Sequence, residues 1–139
     1  MDADALIETL RLAPHPEGGH YRQTWAGPDV GGRPSGTAIL FLLREGERSH
    51  WHRVDAAEIW LWHAGAPLAL RIAEDERAAR RHLLGPEIPE QMPQILVPTG
   101  WWQSAETLGA FTLVSCTVSP GFRFEGFELA QAGFDIPEE

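Results

Sequence analysis

The chain reads as an all-β sandwich or barrel with one short helix at its start. Nine short extended runs follow one another, turn-forming stretches separate them, and no second helical pattern or internal repeat interrupts the series. With 139 residues, 43% of them hydrophobic and 22% charged, the chain has the size and composition of one globular domain, so residues 1–139 are taken as a single unit.

The helix comes first. Leu6, Ile7 and Leu10 recur at helical spacing, Asp2 or Asp4 can cap the start, and Pro14 and Pro16 end it, which makes it a lid or a brace. After the HPEGG stretch at 15–19 the period changes to that of strands. The runs are HYRQTW (20–25), TAILFLL (37–43), SHWHRV (49–54), EIWLWH (58–63), PLALRIA (67–73), RRHLL (80–84), QILVP (94–98), GAFTLVSCTV (109–118) and FRFEGFEL (122–129). Between them lie GPDVGGRPSG, REGE, HAGAP, AEDE and GPEIPEQMP, rich in Gly, Pro and acidic residues as turns require.

Charge and composition exclude several functions. Twenty acidic residues against eleven Lys plus Arg give a net charge of -9, which repels a phosphate backbone, so nucleic acid is not an expected partner. No run is long and apolar enough for a membrane span and the start lacks a signal-peptide layout, so a cytoplasmic protein is expected. The lone Cys116 lies inside an apolar strand pattern, where a buried inert thiol is the usual outcome. Edge strands of a small open barrel are usefully covered by a symmetric copy, which points to a homodimer.

Candidate chemistry gathers at His50-Trp51-His52, at Glu58 and around Gln103. On a regular strand His50 and His52 share a face and Trp51 takes the other; on the next run Glu58, Trp60 and Trp62 share one face and Ile59, Leu61 and His63 the opposite one. Two imidazoles and a carboxylate converging on one point form a facial set for Fe(II) or a similar divalent ion. In the opposing reading the inward residues satisfy one another in a closed core.

Order along the chain narrows the choice. Gly46, His50, His52, Glu58 and Gly65, followed by Pro98, Gly100 and Gln103, resemble the two motifs of the cupin superfamily, with Gln103 where the second motif ends in His. PHPEGGHYRQTW at 14–25, HRVDAAEIW at 52–60 and TVSPGFRFEGFEL at 117–129 resemble the small, functionally uncharacterised cupin branch marked by a His-Pro-Glu-Gly-Gly signature. That resemblance implies a double-stranded β-helix, or jelly-roll barrel, often dimeric, and a metal set of His50, His52, Glu58 and Gln103 holding one divalent ion (Fe, Mn, Ni or Zn) where a metal is used at all. Two departures bear on that set. Five residues separate His52 from Glu58, one or two more than metal-binding cupins usually have, and a one-residue slip would turn Glu58 outward. The other is Gln103, whose amide oxygen is a weaker ligand than imidazole.

Other residues complete the expectation. Glu17, between two Pro/Gly turns, can reach the barrel mouth, and Tyr21, the chain's single tyrosine, can act as a phenolic acid or sit in the core. Trp60, Trp62, Trp101 and Trp102 are candidate aromatic walls of a pocket. His15, His20 and His82 show no constellation, and Arg22, Arg44 and Arg71 could pair with an anion or lie solvated.

The expectation is a small polar ligand, sugar-like or carrying a carbonyl or carboxylate, held in the barrel. Glu17, Trp60, Trp62, Trp101 and Gln103 would contact it, and His52, Glu58 and Tyr21 would carry isomerase- or epimerase-type proton transfer. The alternatives are a metal-dependent lyase or dioxygenase and a non-catalytic binding or sensing module.

Overall fold

The computed structural model describes residues 1–139. Helix α1 (Ala3–Leu10) starts at Asp2, whose side chain accepts the Ala5 N–H at 2.9 Å, and stops at Arg11, which turns left-handed with φ 57°. Asp2 is therefore the cap, and the helix ends before either proline. Strands β1 (Ala13–Pro14), β2 (His20–Ala26), β3 (Asp29–Val30), β4 (Arg33–Pro34), β5 (Thr37–Arg44), β6 (Ser49–Val54) and β7 (Ala57–Gly65) follow. The second half contributes β8 (Leu68–Ala73), β9 (Arg80–Leu84), β10 (Gln94–Val97), β11 (Trp102–Thr107), β12 (Phe111–Ser119) and, after a 3-10 turn at Phe124–Gly126, β13 (Phe127–Leu129).

The strands form two facing sheets. One has six strands in the order β1-β2-β5-β12-β7-β10, the other five in the order β13-β6-β11-β8-β9, and every pairing within them is antiparallel. This is the expected jelly-roll barrel with a short N-terminal helix. β3 and β4 form a separate hairpin in a stretch read from the sequence as a turn; Gly31 and Gly32 supply its positive φ values.

The main departure from the sequence reading is β11. Its residues Gln103 and Ser104 are fully buried polar side chains, so the run WQSAET lacks the apolar alternation that marks a strand, yet it pairs with β6 on one side and β8 on the other.

Phe41, Leu43, Trp60, Leu68, Leu70, Ile72, Leu84 and Val97 form the dry core between the sheets. Both outer faces are also covered. On the six-stranded sheet, Leu6, Ile7 and Leu10 of α1 pack over Leu12, Leu42 and Leu113, which makes the helix a brace. On the five-stranded sheet, the C-terminal tail lays a fully buried Ile136 against Trp51, Trp102, Ala73 and Ala79, and the Trp51 indole donates to Asp135 at 2.7 Å. No helix is long and apolar enough to cross a membrane.

Candidate functional site

The site begins with a tight loop. His15 N–H donates to the Gly19 carbonyl at 3.0 Å and closes the HPEGG segment, and Gly18 and Gly19 both take positive φ, 113° and 76°. A Cβ on Gly18 would lie 1.9 Å from the Arg48 carbonyl oxygen, so only glycine lets the loop press against the start of β6. The His50 N–H donates to the Glu17 carbonyl at 2.8 Å and docks the loop there. The Glu17 side chain is thereby inserted into the barrel, 8% exposed, where solvent was the competing expectation.

A β-bulge then decides which residues of β6 face Glu17. Gln103 pairs with His52 but Ala105 pairs with Ser49, so His50 and Trp51 of β6 stand against Ser104 alone on β11. Alternation fails across the bulge: Ser49 and His52 both point inward, while His50 turns toward the C-terminal tail and bonds the Gln131 carbonyl oxygen through Nε2 at 2.9 Å. The His-x-His pair therefore does not converge. Trp51 packs outward into the tail cluster.

His52 Nδ1 lies 2.7 Å from the His50 carbonyl oxygen, an acceptor only, so Nδ1 carries the proton and Nε2 presents its lone pair. That Nε2 meets Glu17 Oε2 at 3.1 Å, and Glu17 Oε1 accepts the Ser49 hydroxyl at 2.6 Å. Two acceptors in such contact need one proton between them, and burial favours keeping it in the neutral arrangement. Burial pushes the Glu17 carboxyl up to about 8, against the Ser49 bond, and holds the His52 ring below its usual value.

Glu58 lies across the cavity on β7, on the same face as Trp60, as the alternation predicts. Burial pushes its carboxyl up to about 7; the neighbouring His52 opposes that shift and the charge of Glu17 adds to it. Glu58 Oε1 accepts from Gln103 Nε2 at 2.9 Å, and Gln103 Oε1 accepts from the Trp60 indole at 2.7 Å. An indole N–H can only donate, which assigns the amide orientation. The Cys116 thiol lines the same cavity as Glu58, and burial raises its pKa well above the ordinary value, so it is the inert thiol expected.

These groups line a cavity of about 220 Å³. Tyr21, Gln23, Thr37 and His15 add polar atoms to it, and Ile39, Val54 and Val118 add apolar wall. Phe122, Phe124 and Phe127 form the mouth, stacked edge-on with ring centroids 5.0 to 6.1 Å apart, with Phe124 55% exposed. Asp55 holds that segment by accepting Arg33 at 2.7 Å and Arg123 at 3.3 Å.

Several expected contacts lie elsewhere. Trp60 is core, edge-on to Phe41 at 5.9 Å; Trp62 bonds the Ala66 carbonyl; Trp101 packs on the far side of the core. None of the three lines the cavity, because β7 carries its tryptophans toward the filled end of the barrel. Arg22 bonds the Leu10 carbonyl, Arg44 pairs with Glu47 and Asp4, and Arg71 pairs with Asp135, all away from the cavity. His15, which showed no constellation in the sequence, is a wall of the cavity, 4.3 Å from the Tyr21 ring centroid; its Nδ1 accepts the Glu17 N–H at 3.1 Å. Ser49 and the three phenylalanines were not singled out. The spacing of FRFEGFEL was the available signal for the rings; the bulge that brings in Ser49 left none.

The metal set His50, His52, Glu58 and Gln103 does not fit this geometry. His50 is turned away, and the amide oxygen of Gln103 is occupied by the Trp60 indole while its NH₂ faces Glu58. No group of three or more His, Cys, Asp or Glu is arranged to hold a metal ion.

Comparison with known proteins agrees with the architecture. The family described as "Cupin superfamily (DUF985)" matches residues 4–130. A crystal structure of a Shewanella oneidensis protein is 38% identical with a TM-score of 0.90, over 94% of this chain and 85% of that one. A hypothetical protein from Leishmania major is 32% identical with a TM-score of 0.86, over 96% and 90% respectively. Oxalate decarboxylase of Bacillus subtilis, 13% identical with a TM-score of 0.64 over 84% of this chain and 29% of that one, shares the fold alone. No curated protein matches the chain.

Proposed function

The chain belongs to the DUF985 family of the cupin superfamily, and we propose that its barrel binds one small sugar-like or carbonyl compound and moves a proton on it without a metal. The observation that carries this reading is the contact of His52 Nε2 with Glu17 Oε2 at 3.1 Å inside an enclosed cavity, with a second buried carboxyl, Glu58, facing it.

The groups suit an enolisation. His52, held in one tautomer by the His50 carbonyl, draws the shared proton from Glu17 onto Nε2, and the Glu17 carboxylate so formed takes a proton from the carbon beside a carbonyl. The electron pair of that C–H bond becomes the new C=C bond, the carbonyl π pair moves to oxygen, and the oxygen takes the proton of Glu58. Return of that proton to either carbon, while a hydroxyl of the enediol gives its proton back to Glu58, completes an isomerisation or epimerisation with no net redox change. A carboxyl at about 7 is well matched to this work near neutral pH, since it holds and releases its proton with nearly equal ease. Tyr21, on the cavity wall, is a second candidate donor.

A homodimer is proposed alongside. β1 pairs β2 only at His20 and Tyr21, which leaves the edge beyond Tyr21, with Trp25 53% exposed, for a second copy; light scattering reads the mass directly.

The catalytic reading is tested by incubating the protein in D₂O with three- to six-carbon ketoses and hydroxyaldehydes and following loss of the C–H signal by proton NMR. Wild type exchanges, His52→Ala loses about 100-fold or more, and Glu58→Gln loses rate and the basic limb of its pH profile. Exchange at the same rate in His52→Ala, or none with any compound, overturns proton transfer and leaves a binding module.

A further inference from the structure

The charge inventory of the cavity restricts its ligand. The chain has no lysine, so its cationic side chains are eleven arginines, and none of them lines the cavity. The two nearest the mouth, Arg33 and Arg123, are both spent on Asp55. Each buried carboxyl has been given neutral partners instead: Ser49 and His52 for Glu17, Gln103 for Glu58. His15 is neutral as well, since its Nδ1 accepts the Glu17 N–H.

An anion recognises a site through paired N–H donors, an arginine fork or a helix N-terminus. None of these is present, because the one α-helix braces the outer face of the barrel. A phosphate or carboxylate entering here would give up its hydration with no cation to replace it, and burying an unpaired charge is costly. The remaining wall is hydrocarbon and aromatic, suited to the C–H face of a polyhydroxy compound. The cavity, about 220 Å³, suits one small molecule.

We infer that this cavity takes an uncharged hydroxy-carbonyl compound of about monosaccharide size and excludes its phosphorylated and carboxylated counterparts. The inference rests on the reading of the cavity as a ligand site but not on catalysis there.

A matched three-carbon series tests it: dihydroxyacetone, dihydroxyacetone phosphate and glycerate, titrated into wild-type protein with ¹³C-labelled Ile and Val methyls. Ile39 and Val118 line the cavity and report occupancy of it. Dihydroxyacetone shifts both methyls saturably, and the two anions need at least tenfold higher concentration. An anion that saturates these methyls at or below the concentration dihydroxyacetone needs overturns the inference, as does the absence of any shift with all three.

Deuterium exchange keeps the two readings apart. Saturable binding of dihydroxyacetone without exchange retains the charge rule and removes the catalytic proposal. Exchange that proceeds equally well on the phosphate ester does the reverse.

Discussion

The two ends of this barrel are built from the same strands and finished in opposite ways. On β7, Trp60 sits in the packed core and Glu58, two residues earlier on the same face, sits in the cavity. On β5, Phe41 and Leu43 fill the core while Thr37 and Ile39 line the cavity; on β12, Val114 and Cys116 belong to the core cluster, and Cys116 and Val118 reach the cavity. One alternating pattern therefore makes a solid end where the inward residues are large and apolar, and a hollow one where they are small or polar. Gln103 stands at the boundary, accepting from the Trp60 indole on the dry side and donating to Glu58 on the other.

That division is broken most severely at Trp60, which is 1% exposed. Trp60→Ala removes a fully buried ring and leaves the Gln103 oxygen without its donor, a loss of about 3–5 kcal/mol by urea denaturation. Val118→Ala, on the hollow end, already borders empty space and costs about 1 kcal/mol. Equal losses at the two positions would mean that the cavity is as tightly held as the core.

A smaller effect, of the opposite sign, is expected from the carboxyls. Glu17 keeps its proton in the folded protein up to about 8, whereas the unfolded chain releases it near the ordinary 4.5. Between those values the unfolded state binds fewer protons, so wild-type stability falls as pH rises from about 4.5 to about 8. Glu58 acts in the same direction between about 4.5 and about 7. Glu17→Gln escapes its share of this loss and gains on wild type as pH rises, by an amount on the order of 3 kcal/mol between pH 4 and pH 8, at ~1.4 kcal/mol per pKa unit and reduced by sharing with His52. Asp55 at the mouth is the contrast. Arg33 and Arg123 hold its carboxyl below the ordinary value, so its contribution is present at neutral pH and is lost on acidification. Thermal unfolding of Glu17→Gln should gain on wild type from pH 4 to pH 8, whereas Asp55→Asn should run below wild type at a constant distance over that range and close the gap only below about pH 4; a Glu17→Gln curve parallel to wild type would mean that the buried carboxyls are not held neutral.

The same contrast explains what could be read in the chain. Period-two alternation located nine of the ten strands of three or more residues and turned Glu58 inward, because hydrophobic residues on one face of a strand report the core directly. β11 escaped because its buried residues include Ser104 and Gln103, polar side chains that carry no apolar signal, and Gln103 is satisfied by Glu58 and Trp60 of a distant strand. Glu17 was legible as a candidate through its two glycines but not its destination, which depends on the close approach to Arg48. The tryptophans misled for a reason of composition: an aromatic run next to a polar motif describes a core and a pocket equally well, and here the phenylalanines of 122–127 took the role expected of Trp60, Trp62 and Trp101.

His50 is where the weakest effect carries the sharpest test. A regular strand would place its imidazole beside that of His52, and the bulge between Ser49 and His52 instead sends it to the Gln131 carbonyl on the outer face. Only one neutral hydrogen bond in a partly exposed setting is lost in His50→Ala, so stability falls by about 1 kcal/mol or less. Its main-chain carbonyl, which holds the His52 tautomer, is untouched by the substitution. Methyl shifts of Ile39 and Val118 on titration with dihydroxyacetone should therefore match wild type in His50→Ala, while His52→Ala weakens them by removing a polar wall of the cavity. Were His50→Ala to weaken binding as much as His52→Ala, both imidazoles would have to reach the ligand, and the strand would have to run without its bulge in solution.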